Sequence, residues 1–280
     1  MYNLKIVLDK RIIFFSALLV LGLIFGLGMR FLAGKLARSL PAPRPEAAVT
    51  IREGFNLREV ESRLLEAGIA SAQNLPAFTI EPFKNPSGTF SYEFFKDAPS
   101  EASFEGFLFP DTYRFWLDSS SEAVIKKFLD NFDKKLVPDW RAEIERQNKK
   151  IYDAVIMASL IEKEVRSDED RALVSGILWK RLAAGMKLDV DFTICYIKSR
   201  ENKECLPITA DDKKINSPYN TYLYKGLPPG PISNPGQAAL KAAIFPETNP
   251  YWYYLSRPDG KTIFSRTLDE HNAAKRRYLK

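Results

Sequence analysis

Two glutamates at the end of an apolar stretch are the residues best suited to chemistry in this sequence. They are Glu162 and Glu164 in AVIMASLIEKEV, which spans Ala154–Val165. Nine of the fourteen positions from Tyr152 to Val165 are apolar and lie on all sides of a helix, which predicts a buried helix. Glu164 shares a face with large apolar side chains, so burial should raise its pKa and keep it protonated near neutral pH. A protonated carboxyl group is what general-acid cleavage of a glycosidic bond requires.

The alternative for the same glutamates is a solvated helix end. Glu162 and Glu164 lie beside Lys163 and Arg166, and ion pairs also perturb carboxyl groups. At about 100° per residue, the two glutamates point roughly 160° apart around the helix, so Glu162 does not supply a second carboxylate beside Glu164. Both interpretations stay open on spacing alone, with Glu164 as the candidate acid.

A Pro-rich segment at Ser217–Gly236, SPYNTYLYKGLPPGPISNPG, is the second candidate for function. Its prolines and glycines exclude a regular helix or strand and predict a stiff wall. The wall presents Tyr219, Asn220, Thr221 and Tyr222, and amides, hydroxyls and aromatic rings are the groups that bind sugars. A rigid loop that only packs against the core is the competing interpretation.

Apolar periodicity and capping residues predict the elements that must position these side chains. Helices are predicted at 57–67 after the cap Asn56, 121–137, 138–150, 152–165, 167–184, 234–245 with Asn234 as N-cap, and after Thr267. A hairpin is predicted around 257–260, and 186–197 is predicted to be extended. With a small βα unit at its start and mostly helices after it, the chain is predicted to be of the α+β class.

The N-terminal part predicts a membrane anchor. Ile12–Met29 is a run of eighteen uncharged residues, which as a helix would span about 27 Å, close to the hydrocarbon core of a bilayer. The run is longer than the apolar region of a signal peptide, and no clear cleavage site follows it, so an uncleaved anchor is favoured over a signal peptide. Basic residues flank both ends, so charge does not choose the orientation.

Composition excludes some classes of function. The 280 residues carry a formal charge of +6, but lysines and arginines are scattered, so no nucleic-acid partner is predicted. His271 is the single histidine, and its expected role is packing or capping, so no metal or other cofactor is predicted. Cys195 and Cys205 bracket a loop, and a disulfide between them is allowed outside the cytoplasm, although sequence cannot show whether the geometry permits it.

Several strings occur together in the order found in one family. They are EGFLFPDTYRF at Glu105–Phe115, ASLIEKEV at Ala158–Val165, YNTYLYKGLPPGPISNPG at Tyr219–Gly236, LKAA at Leu240–Ala243 and EHN at Glu270–Asn272. In these strings the chain resembles the membrane-anchored endolytic murein transglycosylases of the YceG-like family. That family places its catalytic glutamate at the second carboxylate of the EKE string, which is Glu164 here.

The resemblance implies cleavage of the β-1,4 bond between MurNAc and GlcNAc within a peptidoglycan strand, with a 1,6-anhydro-MurNAc end as product. One carboxyl group suffices, because protonated Glu164 would donate to the leaving oxygen and then remove the proton from the 6-hydroxyl. Substrate-binding roles are expected for Glu162, Asp191, Tyr219, Asn220, Thr221, Tyr222 and Asn234. The expected partners are peptidoglycan glycan strands, the membrane and peptidoglycan synthases.

The resemblance also implies a domain order and a location. The expected parts are a cytoplasmic tail (1–11), a transmembrane helix (12–33), a Pro-rich linker (34–48), a LysM-like domain with its connection (49–116) and a catalytic domain (117–280). The expected location is the cytoplasmic (inner) membrane, crossed once, with the catalytic domain outside the cytoplasm.

One departure from the family pattern lies near the expected site. The family's T-D-P-T string reads Val190-Asp191-Phe192-Thr193 here, which puts the rim of the cleft in question. Two other classes of protein stay open. One is a non-catalytic, membrane-anchored peptidoglycan-binding protein, and the other is a hydrolase with Asp191 as its second carboxylate.

Overall fold

The chain forms two separate units in a computed structural model, residues 1–45 and residues 46–280. The structure describes residues 10–39, 44–84, 91–201, 203–205, 207–257 and 259–279. The predicted tail 1–11 and the Pro-rich centre of the predicted linker, 40–43, therefore lie wholly or mostly outside the described residues.

Helix α1 (Lys10–Ser39) makes up most of the described first unit. Its segment Ile13–Ala33 is long and apolar enough to cross a membrane, and its side chains are exposed throughout. Helix α1 continues to Ser39 and a strand begins at Glu46, so these two elements overlap both ends of the predicted linker 34–48, which stays a prediction about domain organisation. The first proline after the apolar segment is residue 41, so no proline interrupts α1 before its end.

A two-stranded antiparallel sheet opens the second unit. Strand β1 (Glu46–Thr50) pairs with β2 (Thr112–Trp116), with Glu46 opposite Trp116. Helix α2 (Leu57–Glu66) follows β1 and begins with a capping box. The Asn56 side chain accepts from the Glu59 backbone, and the Glu59 carboxylate accepts from the Asn56 backbone. These elements form the predicted small βα unit, whose assignment as LysM-like stays a prediction.

The connection between α2 and β2 contains short helical turns and a cluster of aromatic rings. Phe94, Phe95 and Phe107 are fully buried, and the Phe107 ring stacks on Tyr152 at 6.1 Å between centroids. One hydrophobic core therefore runs from the small sheet into the helical part of the unit. The predicted boundary between the LysM-like domain and the catalytic domain, at 116/117, does not separate two hydrophobic cores. It stays a prediction about the organisation of the sequence.

Helices make up most of the remaining second unit. They are α4 (Ser121–Lys135), α5 (Pro138–Arg146), α6 (Ile151–Glu164), α7 (Asp168–Ala183), α8 (Asp191–Arg200), α9 (Gln237–Ile244) and α10 (Leu268–Tyr278), with a single turn, α3 (Glu81–Lys84), before β2. Strands β3 (Tyr253–Ser256) and β4 (Thr262–Ser265) form an antiparallel hairpin before α10. Helix α6 contacts α5, α7, α8 and α9, and it is buried along its length, as its apolar residues predict.

The prediction of an extended segment at 186–197 is wrong, because helix α8 occupies 191–200. Phe192, Thr193 and Ile194 favour strands by type, and tertiary packing overrides that preference. The Thr193 hydroxyl donates to the Val190 carbonyl over 2.7 Å and closes the first turn. At the other end, a disulfide joins Cys195 to Cys205, which settles the pairing that the sequence left open.

Candidate active site

Helix α6 ends in a cleft of about 680 Å³, and Glu164 lies in its wall. Helices α7 and α8, the Pro-rich segment, the β3–β4 hairpin and helix α10 provide the rest of the lining. The polar and aromatic side chains of the lining include Glu164, Arg181, Asp191, Tyr222, Tyr254 and His271. An open cleft with a buried carboxyl group in its wall can accommodate a polymer and deliver a proton to it.

The carboxyl group of Glu164 is buried and incompletely paired. Its Oε1 atom has no hydrogen-bond partner. Burial raises the pKa of Glu164 to about 7, the hydrogen bond from Tyr254 opposes that rise, and the charge of Asp191 adds to it. Glu164 is therefore divided between its protonated and ionised forms near neutral pH, so it can first donate a proton and then accept one.

Asp191 and Tyr222 lie in the same cleft as Glu164. The Tyr222 hydroxyl donates to Asp191 Oδ1, and the Lys213 ammonium lies 3.3 Å from the same oxygen. Lys213 also donates to the Tyr222 hydroxyl over 3.0 Å. This three-residue network fixes the rim of the cleft at the start of α8. Two of the seven residues expected to bind substrate are thus brought together with Glu164.

Glu162 points away from the cleft, as the helical angle predicts. Its Oε2 accepts from the Gly236 backbone N–H over 2.9 Å, and its Oε1 lies 3.5 Å from Arg171 Nη2. Its side chain is 7% exposed. Glu162 therefore binds the N-cap of α9 and an arginine of α7, and the prediction that it contacts substrate is not supported by this position.

Asn220 and Thr221 lie inside the Pro-rich segment and do not line the cleft. Asn220 is fully buried, and its amide nitrogen donates to the carbonyls of Lys213 and Ile215 over 3.1 and 2.8 Å. The Thr221 hydroxyl accepts from the Val190 backbone over 2.9 Å. Direct contact with substrate was expected for both, but short polar side chains in a loop often bond the surrounding backbone, as these do. Their position suits holding Tyr222 and α8 in place.

Asn234 and Tyr219 also lie outside the cleft. Asn234 is fully buried and accepts from the Leu108 backbone over 2.8 Å while donating to the Phe55 carbonyl over 2.9 Å. It is not the predicted N-cap, because Gly236 occupies that position before α9. Asn234 instead ties the Pro-rich segment to the small sheet unit. Tyr219 lines a second cavity.

Sequence reasoning missed Arg181 and Tyr254, and it gave His271 only a packing or capping role. Arg181 is buried and donates to the Leu188 carbonyl and to Asp189 over 2.9 and 2.8 Å. Burial and the charges of Lys275 and Arg181 lower the pKa of His271 to about 4, so the imidazole is neutral at pH 7. Tyr253 and Tyr254 are neighbours in a strand of four residues. The alternation of side chains along so short a strand is too weak a signal to predict which of the two contacts Glu164.

In the part of the chain that the structure describes, no group of three or more histidine, cysteine, aspartate or glutamate residues could hold a metal ion. Both cysteines are in the disulfide. The side chains that line the cleft offer carboxyl groups, phenols, ammonium groups, a guanidinium group and a neutral imidazole.

The model of the YceG-like family matches residues 27–277, which is most of the chain. The chain belongs to the YceG-like family. A solved structure of a YceG-like protein from Listeria monocytogenes superposes with a TM-score of 0.68 at 31% identity, covering 85% of this chain and 78% of that one.

Two curated relatives of this YceG-like chain have names that state an activity. The endolytic murein transglycosylase of Bacillus subtilis is 31% identical over 243 residues, and that of Streptococcus pneumoniae strain D39 is 30% identical over 241 residues. The matches cover 82% and 81% of this chain but 65% and 43% of those proteins. The chain thus spans about two thirds of one relative and less than half of the other.

Proposed function

We propose that this protein is an endolytic murein transglycosylase, a lytic enzyme that acts on peptidoglycan strands. The observation that carries the proposal is the buried Glu164 carboxyl group at the wall of an open cleft, with a pKa of about 7 and with no hydrogen-bond partner on its Oε1 atom. The names of the relatives support the same activity. Asp191 has both Tyr222 and Lys213 on one oxygen, which favours a structural role over that of a second catalytic carboxylate.

In the proposed reaction, protonated Glu164 gives its proton to the glycosidic oxygen as the bond from that oxygen to C1 of MurNAc breaks. The resulting Glu164 carboxylate then takes the proton of the MurNAc 6-hydroxyl while that oxygen bonds to C1. The products are a GlcNAc 4-hydroxyl end and a 1,6-anhydro-MurNAc end, so no water is consumed. A pKa near 7 allows one group to perform both transfers.

The proposed location is the cytoplasmic membrane, with Ile13–Ala33 as a single span and the second unit outside the cytoplasm. The length and apolar character of this segment support the span, and the substrate supports the orientation. Peptidoglycan synthases, which make that substrate, are the proposed protein partners. A reporter enzyme that is active only outside the cytoplasm should be active when it is fused after Leu279. Activity of a fused reporter that works only inside the cytoplasm would overturn the proposed orientation.

The activity can be tested with the full chain in detergent and purified murein. Treatment of the products with borohydride reduces ordinary sugar ends and leaves anhydro ends unchanged. We expect fragments of several lengths with anhydro ends, as an enzyme cutting within strands would give. Reducible ends would indicate the hydrolase, and binding to murein without cleavage would indicate the non-catalytic wall-binding protein.

A further inference from the structure

A second cavity, of about 520 Å³, lies in the second unit and shares no lining residue with the Glu164 cleft. The start of α2, the segment 99–105, the second half of α8 and the Pro-rich segment form its walls. Nothing in the proposed reaction uses this cavity. We call it the α8 cavity.

A buried carboxyl group forms the floor of the α8 cavity. Glu105 is 3% exposed, and its Oε2 accepts from the Leu57 backbone over 3.1 Å. It is also paired with the Tyr196 hydroxyl, and burial raises its pKa to about 8. Glu105 is therefore mostly uncharged at pH 7, and it does not repel an anion in the cavity.

Two arginines stand at the wall of the same cavity. Arg58 Nη2 donates to the Arg200 carbonyl over 3.3 Å, and the Arg200 guanidinium lies over the rings of Tyr196 and Tyr219 at 6.0 and 5.9 Å from their centroids. Within the described residues, neither arginine forms an ion pair. Glu101, exposed at the rim, is the other charged residue of the lining. The cavity thus offers two guanidinium groups to a carboxylate.

The cavity and the cleft lie along one helix. Asp191 and Phe192 at the start of α8 line the cleft, and Tyr196 and Arg200 line the cavity. Nine residues at 1.5 Å each separate Asp191 from Arg200 by about 14 Å. The Cys195–Cys205 disulfide ties the middle of this helix to the segment that follows it. The separation between Asp191 and Arg200 is within the reach of a short peptide attached to a polymer that lies in the cleft.

We propose that the α8 cavity binds a free carboxylate of a stem peptide on the murein strand whose glycosidic bond lies at Glu164, an inference that rests on the proposed function. The sugar rings are uncharged, and the stem peptides provide most of the carboxylates of intact murein. Arg58 and Arg200 match a carboxylate, while Tyr196 and Tyr219 cover the aliphatic part of a peptide. The enzyme would then select strands that still have their peptides.

The test measures binding by the full chain in detergent with the Glu164→Gln substitution, so that no strand is cut. Three probes are compared: strands with intact peptides, strands freed of peptides by an amidase and then capped as methylamides at the lactyl carboxylates that this exposes, and strands whose peptide carboxylates are capped as methylamides. Adding Arg58→Ala and Arg200→Ala should weaken binding of the intact probe about tenfold or more, because hydrogen bonds to charged groups are lost. Binding of the other two probes should not change.

Arg63→Ala is the matched control, since Arg63 is an exposed arginine of α2 that lines neither cavity and forms an ion pair with the exposed Glu66. If the double variant does not fold, Arg200→Lys alone is used, and about a threefold or greater loss is expected for the intact probe because lysine lacks the planar fork. Equal affinity of the parent protein for all three probes overturns the proposal. Equal weakening for all three probes also overturns it, and would make the cavity a glycan subsite. The proposed function fails separately, if the unsubstituted enzyme forms no anhydro ends.

Discussion

The buried hydroxyl group of Tyr254 is paired with the carboxyl group of Glu164. Tyr254 belongs to the β3–β4 hairpin and Glu164 to the end of α6, so the hairpin determines how the acid is held. The Ser256 hydroxyl of the same strand donates to the Glu164 carbonyl over 3.1 Å. These two contacts hold the last turn of α6 against the hairpin, while Glu164 Oε1 has no hydrogen-bond partner.

The first prediction concerns the dependence of kcat/KM on pH. Only protonated Glu164 can donate to the leaving oxygen, and its pKa is raised to about 7. We expect kcat/KM to fall about tenfold per pH unit above that value, because kcat/KM follows ionisation of the free enzyme. Rates measured from pH 5 to 9 on soluble glycan strands check this. A rate that stays level to pH 9 would contradict the assignment of Glu164 as the acid.

The second prediction uses two neighbours with opposite effects on the pKa of Glu164. Tyr254 lowers that pKa and Asp191 raises it. Tyr254→Phe should therefore move the falling limb of the pH profile to higher pH, and Asp191→Asn should move it to lower pH. Tyr224→Phe, an exposed tyrosine outside the cleft, is the control and should leave the limb in place. Shifts in the same direction for both variants would show that the limb does not report Glu164.

The third prediction compares the two glutamates of the EKE string. Glu164→Gln should abolish cleavage and leave the melting temperature at pH 8 unchanged or higher, because it removes the cost of ionising a buried carboxyl group. Glu162→Gln should keep cleavage but lower the melting temperature, because Glu162 holds Gly236 and Arg171. Melting curves and product yields on both purified variants test this. The reverse pattern would place the acid at Glu162.

The fourth prediction concerns Asn220, for which the structure reverses the expectation from sequence. Asn220→Ala leaves the partly buried carbonyls at 213 and 215 without their side-chain donor and should cost about 1–2 kcal/mol of stability. Asn216→Ala, at an exposed position of the same segment, should cost far less. Urea unfolding of both variants measures the difference. The main effect of Asn220→Ala should be on stability, with a smaller effect on turnover per folded molecule. A large fall in turnover at unchanged stability would indicate that Asn220 contacts the substrate.

The sequence predicted the parts of the site that depend on helix periodicity. The apolar residues of α6 predicted a buried helix, and the helical angle placed Glu162 and Glu164 on different faces. Helix α8 was missed because Phe192, Thr193 and Ile194 are strand-forming types, and packing decided their conformation. The environment of Tyr254 could not be predicted either, since it depends on contact between segments about 90 residues apart.

The Pro-rich segment shows a second limit. Its amides and hydroxyls were predicted to face substrate, yet Asn220, Thr221 and Asn234 are buried and bond the backbone. Polar side chains of the same type can bind a substrate or bond the surrounding backbone. Only the fold decides which backbone carbonyl or amide group lies within their reach. Tyr222, the member that lines the cleft, differs by having a side chain long enough to reach Asp191.

The central claim is that Glu164 transfers a proton twice and that an oxygen of the substrate, not water, ends on C1. Digestion of murein in H2-18O, followed by mass spectrometry of the fragments, tests it most directly. The account predicts new ends that are lighter than reducing ends by one water and contain no 18O, and it predicts that the Glu164→Gln protein forms none. New ends that contain 18O and the added mass of water would contradict it.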